Sequence, residues 1–209
     1  MSLNCTTPKY DELYATWLAE PAKLLDLAGF KAGDRVLDLC GGTGVVSRAA
    51  LDRGALDVTL LDLAPRAGHL RHLWPIFQER EGRAEAANRL LPHDYFDLVV
   101  CRQAIGYLDV KRTAQAVHAV LRSGGRFVFN TFGHPRWRLK TYQFNGTRYV
   151  EASGYLDRTV MHVQAGLGIG FDITKFRWHR ERDLREALTG LFTFNEIHEG
   201  RSLYYVCTK

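Results

Sequence analysis

The chain has 209 residues, 46% of them hydrophobic and 24% charged, with a formal net charge of +5 at pH 7. That length suits one domain with its own core, and the composition is that of an ordinary soluble globular protein. No apolar run approaches the roughly 20 residues needed to span a bilayer, no leader pattern opens the chain, and Lys and Arg are scattered rather than gathered into a stripe that would demand nucleic acid.

In chain order, "DELYATWLAEPAKLLDLAGF" predicts a helix, with Pro21 suited to a first turn and Gly29 to a stop. "RVLDLC" is a short β-rich run, and "GVVSRAALDRG" opens a helix closed by Gly54. "DVTLLDL" predicts a second strand; "APRAGHLRHLWPIFQER" is mixed in character and reads as helical in part. "YFDLVVCRQ" predicts a third strand, "VKRTAQAVHAVLRSGG" a helix stopped by its glycines, and "GRFVFNTF" a fourth strand. Strands alternating with helices at this pitch imply an α/β, Rossmann-like doubly wound sheet, mostly parallel. Continuous apolar cores such as "LVV" and "FVF" fit strands buried on both faces.

After Phe132 the rhythm changes. Residues 136–180 are rich in aromatic and β-branched residues, and Asn145-Gly146 between "TYQF" and "TRYV" signals a hairpin, because a type I′ turn needs positive φ at both central positions. We read two to four antiparallel strands here. Such a layer, carrying Tyr142, Phe144, Tyr149, Tyr155, Phe171, Phe176 and Trp178, would roof the sheet as a substrate lid or bury an edge in a homodimer. "ERDLREALTGL" returns to helix with Leu184, Leu188 and Leu191 on one side, and "TFNEIHE" with "SLYYVCTK" predicts an antiparallel closing pair joined through Gly200-Arg201. The organisation expected is one domain over 1–209: a ligand-binding core at 8–132, the β-rich region at 136–180, and a closing helix and strand pair at 181–209.

The four cysteines, Cys5, Cys40, Cys101 and Cys207, show no CxxC and no Cys/His pair at ligand spacing, so neither a metal centre nor a disulfide framework is expected. Three lie in or beside apolar runs, where free cysteine behaves as a small hydrophobe. A reduced, cytoplasmic protein follows.

The stretch "VLDLCGGTG", Val36 to Gly44, carries the chemistry. Asp38 stands inside a strand, and Gly41, Gly42 and Gly44 turn the chain into a helix, where glycine allows positive φ and close approach of a ligand to the main chain. Helix N-terminal N–H groups then line a crevice at the carboxyl ends of the strands, where doubly wound sheets bind ligands. Asp62 ends the next strand, 18 residues beyond Gly44, the spacing of an acid that grips a ribose. A dinucleotide site shares these parts, but the register Gly42-x-Gly44 puts Ser47 where its third glycine belongs. Asp38 would also repel a pyrophosphate, whereas it would suit an ammonium group.

At these residues the chain resembles the class I S-adenosylmethionine-dependent methyltransferases, in their small-molecule branch. "VLDLCGGTG" is similar to their first motif, "LLDLAP" to their second-strand acid motif, "YFDLVVCRQAIGYL" to their fourth-strand motif, and "VLRSGGRFVFNTF" to the helix–glycine–strand unit that follows. The resemblance implies S-adenosylmethionine as cofactor. Asp38, Gly41, Gly42 and Gly44 would line its methionine and ribose side, with Cys40 replacing the family's first loop glycine. Asp62 would take the ribose hydroxyls and Leu63 the adenine. Glu85 or Asn88 would stand where the family often has an acid near the adenine amino group. Cys101, Arg102 and Gln103 would lie beside the sulfonium or the acceptor. Tyr14, with Tyr10 one helical turn before it, either caps the cofactor or packs its helix on the sheet.

The activity implied is methyl transfer to an O, N or C nucleophile of a small molecule by in-line displacement. A base is required only where the acceptor is protonated at working pH, and His134, in "TFGHPRW", is the candidate; His93, His162 and His179 read as structural or surface groups. The methyltransferases of base amino groups carry an Asn/Asp-Pro-Pro-aromatic turn where this chain has "CRQA", so a small-molecule acceptor is expected rather than nucleic acid, and no membrane partner. Two alternatives stay open at this point: a non-catalytic S-adenosylmethionine-binding sensor and an NAD-dependent oxidoreductase.

Overall fold

The computed structural model describes residues 21–132, 140–144, 147–151, 179–199 and 202–209. The first described helix, α1 (Pro21–Leu27), is followed by a turn at Gly29, whose φ is 62°. The Phe30 N–H reaches the Leu25 carbonyl at 2.9 Å and the Gly29 N–H the Asp26 carbonyl at 2.9 Å, a Schellman stop. The part of the expected helix before Pro21 lies outside the described residues.

Strand β1 (Arg35–Leu39) leads through the glycine loop into α2 (Val45–Asp52), which a second Schellman turn closes at Gly54 (Ala55 N–H to Ala50 carbonyl, 3.0 Å). Next come β2 (Asp57–Asp62), a single-turn α3 (Leu70–Leu73) and β3 (Phe77–Glu81). Here the expectation is corrected: the stretch read as partly helical holds only four helical residues, and "FQERE" is a strand. It is an edge strand whose one buried anchor is Phe77, so it lacks apolar alternation, and its charges keep the open edge from pairing with another chain.

A short turn of helix α4 (Ala87–Leu90) precedes β4 (Phe96–Cys101), followed by α5 (Val110–Val120), capped by the Asp109 side chain on the Arg112 N–H at 3.1 Å. The next strand, β5, spans Leu121–Phe132. The glycines expected to stop α5 therefore lie inside β5, where the register against β4 shifts between Phe96 and Leu98. Only a residue without Cβ fits there: a Cβ on Gly125 would come within 2.8 Å of the Arg122 carbonyl oxygen. Strands β6 (Lys140–Phe144) and β7 (Thr147–Glu151) form the expected antiparallel pair as a separate two-stranded sheet. The turn between them and the rest of the 136–180 region lie outside the described residues. Helix α6 (Glu181–Leu188) and the antiparallel strands β8 (Thr193–Glu199) and β9 (Ser202–Thr208) close the fold.

The main sheet runs β3-β2-β1-β4-β5-β9-β8, parallel except for β9, which is antiparallel to both neighbours. Alternating side chains divide two cores between its faces. Leu37, Val99, Phe127 and Tyr205 pack with residues of α5 and α6 on one side, and Val36, Leu98, Val128 and Tyr204 with residues of α1 and α2 on the other. Phe129 stacks on Tyr205 at 4.8 Å, binding β5 to β9. The strand order reverses between β1 and β4, which places a crevice at their carboxyl ends. Among the described residues no helix is long and apolar enough to cross a membrane.

Candidate active site

The glycine loop closes around Asp38. This residue is buried on β1, facing α2, and its Oδ2 accepts both the Ser47 N–H at 2.9 Å and the Ser47 hydroxyl at 2.7 Å. Its Oδ1 is buried without a partner. Burial pushes the Asp38 carboxyl up to about 6, against the lowering effect of the Ser47 bonds and the Arg102 charge. Gly41 is held directly over it: a Cβ there would meet Asp38 Cγ at 2.6 Å and Leu60 Cδ1 at 2.7 Å. Gly44 has φ 78°, and its Cβ would meet Ala67 Cβ at 2.5 Å. Both positions require glycine for space, and Gly44 for backbone freedom as well.

Cys40 stands at φ 60°, in the left-handed region that glycine occupies at little cost. Its N–H donates to the Leu61 carbonyl at 2.7 Å, carrying the β1–β2 ladder one residue further. Its thiol adjoins that of buried Cys101, and this contact, followed by burial, raises the Cys40 pKa well above the usual thiol range. The Cys40 thiol is therefore protonated at neutral pH, a packing group rather than a nucleophile.

Asp62, at the end of β2, accepts the Gly42 N–H on Oδ2 at 3.0 Å and the Ala64 N–H on Oδ1 at 2.9 Å. It thereby clasps the two loops that edge the crevice, and exposed Leu63 follows it directly. Beyond β4, Arg102 lies close enough to Asp38 to favour its charged form. Gln103 takes φ 52°, and its N–H donates to Asn130 Oδ1 on β5 at 2.8 Å.

The structure thus brings Asp38, Cys40, Gly41, Gly42, Gly44, Asp62, Leu63, Cys101, Arg102 and Gln103 to the carboxyl ends of three adjacent strands, β2, β1 and β4. Asn88 is on α4, where its carbonyl oxygen accepts from His93 Nε2 at 2.7 Å. Glu85, the other residue named, lies in a short 3-10 turn just before α4. Its charge is felt at Cys40, and its Oε1 accepts the Asp109 N–H at 3.2 Å. Tyr14 and His134 lie outside the described residues. His179, just before α6, is bonded through Nε2 to the Ile105 carbonyl at 3.2 Å.

Sequence reasoning missed the parts played by two residues. Ser47 was noted only for not being glycine, yet it orients Asp38. Asn130 was read as a strand residue; the signal was a polar side chain inside the apolar run "FVFNTF". Elsewhere among the described residues, Glu181, Glu196 and His198 bring potential ligand atoms within 4.8 Å of one another, but Arg185 already pairs with Glu196.

The arrangement can hold a cation beside a nucleoside. Asp38 and Asp62 line it, Glu85 pairs with Arg83 at 3.4 Å, and an orphaned buried carboxylate oxygen is costly until a donor reaches it. A doubly wound sheet with a glycine loop, a buried acid before it and a second acid on the next strand is the frame of a nucleoside-cofactor site. A family model described as "Methyltransferase domain" matches residues 11–191, and the chain belongs to that family. It is 31% identical over 140 residues to a demethylmenaquinone methyltransferase of Tropheryma whipplei, covering 65% of this chain and 56% of that protein. It is 32% identical over 111 residues to a ubiquinone biosynthesis O-methyltransferase of Bordetella avium, covering 51% and 46%. The chain spans about half the length of the curated relatives it matches.

Among solved structures, an S-adenosylmethionine-dependent methyltransferase of Mesorhizobium loti aligns over 100% of both chains at a TM-score of 0.64 and 22% identity. A 1,6-didemethyltoxoflavin-N1-methyltransferase of Burkholderia thailandensis, solved with 1,6-didemethyltoxoflavin and S-adenosylhomocysteine, aligns over 96% of this chain and 84% of its own at a TM-score of 0.64 and 20% identity. At those identities the likeness is one of fold.

Proposed function

We propose that the chain transfers a methyl group from S-adenosylmethionine to an O, N or C nucleophile of a small molecule. The observation that carries this reading is the pair of acids on adjacent parallel strands: Asp38, buried with Oδ1 unpartnered, and Asp62, half-buried at the mouth of the crevice. A ligand with an ammonium group at one end and a vicinal diol at the other satisfies both.

The residues fit the cofactor. Asp38 would take its cationic methionine end, and Gly41, Gly42 and Gly44 admit the ligand against the main chain, with Cys40 lining the turn. Asp62 would accept the ribose hydroxyls, and exposed Leu63 would cover one face of the adenine. S-adenosylmethionine, when bound, supplies an activated methyl group on a sulfonium. Arg102 and Gln103, across the strand-order reversal, would border the acceptor. Their contribution is orientation, which by itself can lower a bimolecular barrier by roughly 7–11 kcal/mol. A proton needs to be removed only from an acceptor that binds protonated, and His134 is the group assigned to it.

The acceptor we assign is a partly aromatic or apolar small molecule. Support comes from the relatives named for demethylmenaquinone and ubiquinone biosynthesis and from the absence of a basic stripe. The site of action we assign is the cytoplasm, supported by Cys40, Cys101 and Cys207 being free thiols.

Titration calorimetry with S-adenosylmethionine and S-adenosylhomocysteine tests the binding. Both bind the wild type, and Asp62→Ala weakens them at least about tenfold, as expected for a charged hydrogen-bonding partner lost. Unchanged affinity in that variant rejects the assignment. Transfer of labelled methyl to a panel of phenols, quinols and amines then identifies the acceptor class.

A further inference from the structure

We propose that Asn130 is a positioning residue for the methyl-transfer site, acting through Gln103. The inference rests on the methyltransferase reading and assigns a role to a β5 residue that is not among the residues named for binding the cofactor. Gln103, like Cys40, is a non-glycine residue in the left-handed region, and each follows the carboxyl end of one of the two strands that flank the reversal of strand order. A side chain in that conformation is strained, and such strain persists where neighbours over-determine the backbone. The neighbour here is Asn130. It is buried, it directly follows the apolar run Phe127–Phe129, and its Oδ1 accepts the Gln103 N–H at 2.8 Å. Because a backbone N–H can only donate, the carboxamide oxygen must face the loop, and the orientation of Asn130 is settled by its partner.

The bond does two things at once. It satisfies an amide that leaves the β4–β5 ladder after Cys101, the last residue of β4 paired with β5. It also turns the chain so that Arg102 approaches Asp38 and the half-buried Gln103 stands at the rim of the crevice. The Gln103 carboxamide makes no hydrogen bond among the described residues, which leaves both its donor and its acceptor for a ligand. Asn130 therefore shapes the half of the site that faces the methionine end and the acceptor. Asp62, three strands away from β5 on β2, shapes the nucleoside half independently.

Calorimetry with two probes separates the halves: S-adenosylhomocysteine, which spans the site, and adenosine, which reaches only the nucleoside half. Asn130→Ala is expected to weaken S-adenosylhomocysteine at least tenfold while changing adenosine less than twofold. Asn130→Asp keeps an oxygen acceptor in place and should stay within about threefold of wild type for both. In a Gln103→Gly background, where the left-handed conformation is relaxed, adding Asn130→Ala should change S-adenosylhomocysteine affinity less than twofold. The proposal is overturned if Asn130→Ala binds S-adenosylhomocysteine like the wild type, if both probes weaken together, or if the two substitutions add independently. A wild type that binds neither probe rejects the methyltransferase reading itself, a result distinct from any of these.

Discussion

Asp38 carries its charge at a cost the fold alone does not repay. Its carboxyl has a pKa near 6 in the ligand-free protein against 3.8 for the ordinary group, so the folded chain holds that proton more tightly than the unfolded chain between about pH 4 and pH 6. The stability of the ligand-free protein therefore falls as pH rises through that window, by an amount on the order of 2–3 kcal/mol in total. Asn at this position keeps an oxygen for the Ser47 bonds without the buried charge. Urea denaturation at pH 7.5 should accordingly find Asp38→Asn more stable than wild type by about 1–3 kcal/mol, while calorimetry finds cofactor affinity reduced at least about tenfold. A variant that is both less stable and fully binding contradicts this account. Because a cationic ligand selects the ionised carboxylate, wild-type affinity for S-adenosylmethionine should also decline below about pH 6, approaching tenfold per pH unit. The Asn variant should show no such slope.

Among the elements, α1 shows how a short helix is fixed without a large face of its own. Leu24 and Leu25 are its buried residues, and beyond its end Arg126 of β5 donates to the Ala28 carbonyl at 2.8 Å, to the Gly29 carbonyl, and to Asp34 Oδ2 at 2.6 Å. One guanidinium thus satisfies carbonyls that a helix end leaves orphaned and ties α1 to the sheet at the end remote from the cofactor. Arg126→Ala strands Asp34 partly buried, and chemical denaturation should show a loss of about 2–4 kcal/mol. S-adenosylhomocysteine affinity should be unchanged in the same protein; a drop in affinity would mean that α1 couples to the crevice.

In the whole molecule, the sheet order puts β1 and β4 between paired neighbours, while β3 and β8 are its edges. Native-state hydrogen exchange should follow that order, with β1 and β4 amides opening only in global unfolding and those of β3 and β8 exchanging at least about tenfold faster. Adding S-adenosylhomocysteine should raise protection at residues 38–44 and 101–103. Comparable protection of β8 and β1 would argue against an open β8 edge.

Much of this was legible in the residues themselves. Apolar runs bounded by glycine turns marked β1, β2, β4 and β5, and Gly29 and Gly54 marked two helix ends, because backbone freedom and local periodicity are properties of short stretches. Asp38 and Asp62 were legible as an acid pair for the same reason, since a loop and the next strand end bring them together by local geometry. What sequence reading lost was decided at longer range. Strand β3 has too few apolar residues to announce itself and exists through its pairing with β2. The Gly124-Gly125 pair, read as a helix stop, belongs to a strand because β4 imposes a shifted register on it. Ser47 and Asn130 owe their roles to partners 9 and 27 residues away. Local sequence thus determined which segments could be helix or strand and where a ligand's charge would be met. Only the packed sheet decided which carboxylate oxygen stays unpartnered and which side chain holds a strained loop, because those depend on burial and on contacts that no single segment contains.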